Sequence, residues 1–474
     1  MTWTDDPKAL FVGVVLVLGI IFGAVVLFET LVPLEDRENN TEFSDPSEDV
    51  VGWEKGVWYN QPLSIEDSDG LNESELELVT AQSMARVELL RDAEFTRDVT
   101  VDVRTRDEFG QQRSVSIGGS TNTTGYEDLV HQSMLLIEES SNGDKVSQQV
   151  ARNTVLGYYL VGQDSLVIIT DDPENLTIRG STLVHELNHA LQDQRFDLSR
   201  EEFQPPQQNM KFAADLLIEG ESMYVERLYT EKCRTGEWDC IEAVEPTQNP
   251  EVRTQPPVGI GIQLLNYYPY SVGVDYVVDL YSDGGWEAVD TAFESPPETT
   301  QAALQGQERT PEFSELDDAP ANWTTFEGRG LNGTDSLGPA GVYMLFWHQS
   351  YAYDINTISP LDIFSQEEFG PYEYTSPLVD ELRGDELTPF TNQEDDSGYV
   401  WRSVWNTETD ATEFRLAYET ILRNHGAEYH GNGDWVIEDG GFADHYHVSQ
   451  YGDSVTIVNA ESSDGLVSLK STLP

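Results

Sequence analysis

The run Ser181–Leu198, STLVHELNHALQDQRFDL, constrains the fold more than any other, because it sets His185 and His189 four residues apart with Glu186 beside the first. An α-helix turns once in about 3.6 residues, so positions i and i+4 share a face and both imidazoles can reach one ion. Leu183, Leu187, Ala190 and Leu191 form a second, apolar stripe, which predicts a helix packed on a core with its histidines turned to a cleft. Ser181 or Thr182, just after Gly180, is the expected N-cap. In an HExxH arrangement the imidazoles hold zinc, and the glutamate takes a proton from the metal-bound water and passes it to a leaving amine.

Such a site needs a third protein ligand, leaving one position open. The helical run Asn209–Glu231 offers Glu219, Glu221 and Glu226. Glu219 is the expected ligand: it follows the apolar turn Ala213, Ala214, Leu216 and Leu217, and Gly220 beside it permits close helix approach. Glu221 points about 200° away around the helix. Glu221 and Glu226 read as solvated acids, the usual position of carboxylates.

HELNHALQDQRFDL followed by LIEGES resembles a broad group of prokaryotic zincin-like proteins with HELxHALQDQ and a later EG glutamate. YPYSVG from Tyr268, GGWEAVD from Gly284, Pro296-Pro297 before Thr299-Thr300, and WNTETDATEF from Trp405 extend the resemblance across roughly Asn72 to Leu422. The chain most resembles membrane-anchored haloarchaeal surface proteins of this kind. That resemblance implies a gluzincin-like site of His185, His189 and Glu219, with Glu186 as general base. Gln301, Gln305 and Pro339 depart from the group's pattern, which has an acid and then a histidine at the first two and an acid at the third. Those departures favour the alternative of an inactive zincin-fold surface protein with a binding or structural role.

The formal charge of −60, from 86 acidic and 26 basic residues, implies a protein made for concentrated salt. At molar ionic strength the Debye length is about 3 Å, and most of the self-repulsion is screened. A 10% aromatic content, with charge spread along the chain, argues against disorder. No basic cluster exists to meet phosphates, so nucleic acid is excluded as a partner.

Ala9–Phe28 carries no charge and is long enough to cross ~30 Å of hydrocarbon. It is expected to be a transmembrane helix, with residues 1–8 cytoplasmic and the body extracellular, Lys8 lying on the inner side. Six sequons, at Asn39, Asn72, Asn122, Asn175, Asn322 and Asn332, fit an exported glycoprotein. Cys233 and Cys240 are the only cysteines and are expected to form a short-loop disulfide.

Residues 29–60 read as an acidic linker, 61–422 as the zincin-like domain and 423–474 as a β-rich ending. Helices are expected over Asn72–Asp92, Ser271–Tyr281, Gly341–Tyr351 and Thr409–Leu422. Val99–Thr105 reads as a strand, Val155–Thr170 as a hairpin turning at Gly162, and His445–Tyr451 and Ser454–Asn459 as strands. His425, His430, His445 and His447 are candidates for a second metal set. Tyr224, Tyr270 and His348 are candidate donors to a developing oxyanion. The sequence thus predicts an α+β, predominantly helical zincin-like domain with a small sheet, an N-terminal transmembrane helix and a β-rich end. Its expected work is zinc-dependent hydrolysis of peptide or protein substrates at the cell surface.

Overall fold

A computed structural model describes residues 43–473, apart from 66–69, 118–123, 174, 242–258, 308–309, 319–321, 365–368 and 395. In chain order, the first half carries strands β1 (Trp53–Glu54) and β2 (Val57–Trp58), helix α1 (Glu73–Arg91), β3 (Thr100–Thr105) and helices α2 (Arg106–Ile117), α3 (Thr124–Ser133) and α4 (Gly143–Thr154). The hairpin β4 (Gly157–Leu160) and β5 (Ser165–Thr170) then leads into α5 (Gly180–Phe196), α6 (Gln208–Arg234), α7 (Ile260–Glu294) and α8 (Thr300–Gln305). The second half holds β6 (Trp323–Thr325), α9 (Gly338–Tyr353), β7 (Leu382–Asn392), β8 (Ser397–Trp405), α10 (Glu408–Asn424), β9 (Glu428–Gly431), β10 (Asp434–Val436), β11 (His445–Tyr451), β12 (Ser454–Ala460) and α11 (Ser463–Lys470).

Local chemistry sets several boundaries. Asn72 and Glu75 close a reciprocal capping box on α1, and Thr407 and Asp410 do the same on α10. Helix α5 starts at Gly180 with Arg179 as its N-cap and no side-chain cap bond, so neither Ser181 nor Thr182 caps it. A Cβ on Gly180 would lie 2.3 Å from the Tyr229 hydroxyl, so close packing on α6 fixes this end. Helix α7 begins earlier than Ser271 and is broken by non-helical backbone at Gly284 and Gly285, where Trp286 opens its last turns.

Three sheets result. Beside the β1–β2 hairpin, β3 runs parallel to β5 and β4 runs antiparallel to it, in the order β3-β5-β4. The largest has seven strands in the order β6-β7-β8-β12-β11-β10-β9, every neighbouring pair antiparallel. One core joins this sheet to the helices: Trp401, Trp405 and Ile457 pack in the same cluster as Leu265, Trp347 and Phe414. A second core, under α1 and β5, seats Leu183, Leu187 and Leu191 of α5.

These observations correct the expected fold class. The protein is mixed α/β with a large antiparallel sheet, not a predominantly helical domain with a small sheet and a β-rich end. Strands β11 and β12 lie inside the seven-stranded sheet, joined to the body through β8. Strands β7 and β8 carry no strand signal in the sequence because most of their residues are buried on both faces, which erases the period-two alternation that marks a half-exposed strand. No helix among the described residues is long and apolar enough to cross a membrane, and Ala9–Phe28 lies outside them.

Candidate metal centre

Helices α5 and α6 pack side by side, and their contact brings His185, His189 and Glu219 together. Glu219 Oε2 lies 3.2 Å from His185 Nε2 and 3.3 Å from His189 Nε2. One ligand atom from each residue falls within 4.8 Å of the others, and no other such group of three occurs among the described residues. Zinc–ligand bonds of about 2.0–2.2 Å in a tetrahedron set neighbouring ligand atoms about 3.3 Å apart. The two nitrogen-to-oxygen separations match that edge, and two imidazoles with one carboxylate are a donor set zinc accepts. The residues therefore fit the ion.

Each imidazole is held from behind. His185 Nδ1 lies 3.2 Å from Glu226 Oε2, an acceptor that fixes the hydrogen on Nδ1 and turns Nε2 toward Glu219. His189 Nδ1 faces Gln192 Oε1 at 2.9 Å and Ser222 Oγ at 3.2 Å. The Gln192 amide is oriented in turn by donating to Ile218 O at 2.9 Å and Glu221 Oε2 at 3.0 Å. Glu221 pairs with Arg91, which also pairs with Asp290 and lies 4.3 Å over the Trp286 ring. A chain of contacts thus runs from His189 back into α1 and α7.

Two readings of the acids need correction. Glu221 is 1% exposed and ion-paired rather than solvated. Glu226 is only partly exposed and sets a carboxylate oxygen 3.2 Å from His185 Nδ1. The usual surface bias of carboxylates fails at both positions, while spacing along the helix carries a signal for Glu226. Seven residues are nearly two helical turns, so Glu226 shares a face with Glu219.

Glycines set the helix crossing. A Cβ on Gly220 would lie 2.2 Å from Gly273 O, and one on Gly273 would lie 2.5 Å from Leu216 O. Side chains are excluded there, so α6 and α7 approach backbone to backbone beside Glu219. Tyr270, almost one turn before Gly273, stacks on His185 with ring centroids 5.9 Å apart and planes 15° apart. Burial, then the carboxylates of Glu219 and Glu186, pushes its phenol well above the usual range and keeps it a donor. The other two candidate donors lie elsewhere. Tyr224 packs on Tyr281 and Trp286, and His348 faces Leu135 O at 3.0 Å.

Glu186 is buried beside the first residue of β4, where a Cβ on Gly157 would lie 3.3 Å from its Cγ. Burial pushes its carboxyl up, against the pull of His185 and His189. For His185, burial opposes charging, but Glu219 and Glu226 outweigh it and raise the imidazole well above its usual range. Glu219 is also penalised by burial, and the two imidazoles more than reverse this, holding it far below the usual carboxylate range. A cluster with this much carboxylate character favours a cation.

Two of the three departures from the resembled pattern have hydrogen-bond partners, and the third opens a helix. Gln301 Oε1 accepts from Asn209 Nδ2 at 3.0 Å, Gln305 Nε2 donates to Asp380 O at 3.2 Å, and Pro339 sits in the first turn of α9. The C-terminal histidines assemble no second centre: His425 faces Gln349 and His447 faces Asp434. Cys233 and Cys240 form a disulfide at the end of α6.

A domain of unknown function (DUF8575) matches residues 325–470. The match covers less than a third of the chain, from the end of β6 through α11, and leaves the histidine cluster outside it. No curated protein matches the chain.

Proposed function

We propose that the chain is a zinc-dependent peptidase working outside the cytoplasm, with His185, His189 and Glu219 holding the ion. The observation that carries this reading is the convergence of both imidazole Nε2 atoms on Glu219 Oε2 while both Nδ1 atoms are occupied from behind. When bound, zinc supplies a Lewis acid and lowers the pKa of a coordinated water toward neutrality.

The remaining roles belong to the protein's own residues. Glu186 accepts the proton of the attacking water and delivers it to the leaving amine, a task suited by its raised pKa. Tyr270 donates its hydroxyl hydrogen to the oxygen that gains charge in the transition state. Strand β4 ends the sheet order β3-β5-β4 and pairs with no further strand among the described residues, so an extended peptide can add along its outer edge, with Gly157 next to Glu186. The Cys233–Cys240 disulfide supports a location in an oxidising compartment.

Glu186→Gln separates hydrolysis from binding. Peptide turnover measured in molar KCl is expected to fall at least 100-fold, with zinc content unchanged. A wild-type protein that holds zinc and cleaves no peptide would instead establish the binding or structural role.

A further inference from the structure

A row of aromatic rings runs outward from His185. Tyr270 stacks on that imidazole, and Tyr267, three residues earlier on the same face of α7, meets Tyr270 with ring centroids 5.7 Å apart. Tyr372 makes a T-shaped contact with Tyr267 at 6.0 Å, and Phe364 makes another with Tyr372 at 5.8 Å. Four rings thus lead away from the metal cluster, each touching the next.

Backbone contacts hold the row in place. A Cβ on Gly370 would lie 2.1 Å from Ser271 O, so the segment leading to Tyr372 runs backbone to backbone against α7 just after Tyr270. Before that crossing Asp275 Oδ1 accepts from Phe369 N at 2.7 Å, and after it Ile363 O accepts from Glu373 N at 2.8 Å. Tyr374 Oη then donates to Leu264 O at 2.6 Å. Tyr372 is therefore set against Tyr267 by a segment bonded on both sides of it.

The rings are fixed but not sealed. Tyr267 is 36% exposed, and Tyr270 and Tyr372 are half-buried. Ring faces left in water gain most from an apolar partner that covers them. Electrostatics do not favour a charged one. Burial and then the Glu226 carboxylate push the Tyr267 phenol up, so the ring stays neutral with a carboxylate nearby that disfavours a second. Glu226 is already engaged by His185, the Ser181 hydroxyl and the charge of Arg179, which leaves it a poor anchor for a cation. In molar salt, where charge contacts fade beyond about 3 Å, apolar contact is the recognition that persists.

We propose, on the peptidase reading, that Tyr267 and Tyr372 determine specificity by taking an aromatic or large aliphatic side chain of an extended peptide, beside the bond whose carbonyl faces Tyr270. Consecutive Cα atoms of a peptide are about 3.8 Å apart, and the Tyr270 and Tyr267 rings are 5.7 Å apart. A residue flanking the bond held at Tyr270 therefore reaches Tyr267 with its own side chain. Tyr372, edge to face with Tyr267, closes the far side of that contact.

The test uses the full chain in molar KCl and capped decapeptides of serine and alanine that differ only at the fifth residue, which is phenylalanine, leucine, alanine, glutamate or lysine. Cleavage is mapped by mass spectrometry. Binding is measured calorimetrically on zinc-loaded Glu186→Gln protein, so recognition is read whether or not a peptide is cut. The phenylalanine and leucine peptides are expected to be cut next to that residue with kcat/KM at least tenfold above the other three, and to bind at least tenfold more tightly. Tyr267→Ala should shrink both ratios at least fivefold with zinc content unchanged, and Tyr372→Ala carries the same expectation should Tyr267→Ala not fold. Tyr451→Ala, at an exposed tyrosine ending β11, should leave the ratios as they are. Selective binding without cleavage removes the peptidase reading and leaves the apolar subsite standing. Cleavage without side-chain preference, equal preference for lysine, or ratios unchanged in folded Tyr267→Ala overturns the subsite and leaves the peptidase reading standing. Neither binding nor cleavage overturns both.

Discussion

Replacing Glu226 by glutamine tests whether the second row of contacts sets metal affinity. The amide keeps the shape and one acceptor oxygen 3.2 Å from His185 Nδ1, but it removes the charge. A hydrogen bond to an ionised partner contributes about 1.5–3 kcal/mol, against about 0.5–1.5 kcal/mol for a neutral one. The difference is about 1–1.5 kcal/mol, or about five- to fifteenfold in Kd. Glu226 is 27% exposed at its side chain, and solvent trims the gain toward the lower half of that range. Zinc Kd, measured by competition with a chromophoric chelator in molar KCl, is therefore expected to rise about five- to tenfold. Glu226→Leu, which leaves the Nδ1–H without an acceptor, should approach the upper end of the 10- to 100-fold range typical of such supporting contacts, about 100-fold. Glu231→Gln on the same helix, where the carboxylate pairs with the exposed Arg234, serves as the control and should change nothing. A Glu226→Gln Kd within twofold of wild type would refute the reasoning, because His185 would then be oriented by something other than this carboxylate.

Other perturbations follow from the same geometry. Gly273→Ala puts a Cβ 2.5 Å from Leu216 O, which no side-chain rotation relieves, so α6 and α7 must part. Overpacking of this kind costs about 1–3 kcal/mol, and both the melting temperature and zinc affinity should drop; an unchanged melting temperature would contradict the backbone-to-backbone crossing. Glu54 and Glu88 form a buried carboxyl pair beneath the β1–β2 hairpin, and burial pushes both upward, Glu88 while it accepts from Gly52 N at 2.9 Å and Phe95 N at 3.0 Å. Raised folded-state values mean that the native protein binds more protons than the unfolded chain, so stability should fall as pH rises from the ordinary carboxylate range through neutrality. Glu54→Gln keeps a hydrogen-bonding partner for Glu88 and removes one titrating group. Its denaturant midpoint should decline less with pH than that of wild type, and parallel curves would count against the pair.

The sequence reached furthest where periodicity and chemistry coincide. The HExxH helix was legible because its apolar stripe and its histidines occupy separate faces, and Glu219 because Gly220 beside it marks a close helix crossing. The crossing partner was not legible: Gly220 meets Gly273 of α7, a contact that spans 53 residues and leaves no local pattern. The expectation of a solvated Glu226 rests on the usual exposure of carboxylates, although its seven-residue spacing from Glu219 points to the same face. The large sheet was missed for a different reason. Leu382–Asn392 mixes Arg383, Asp385, Glu386 and Pro389 into a strand whose Asp385 is buried against Trp401 Nε1 at 2.9 Å and the N-terminal backbone of α9. Charge in that strand is structural, and only tertiary contacts reveal it.

The proposed chemistry requires two imidazoles and one carboxylate to gather around one ion. X-ray absorption at the zinc edge, on protein loaded with one equivalent in molar KCl, reads that directly. The predicted spectrum has four light-atom ligands at about 2.0–2.2 Å, two of them with the outer-shell scattering of imidazole, and loses one imidazole in His189→Ala. A shell of oxygen alone, or the same spectrum from His189→Ala, would contradict it.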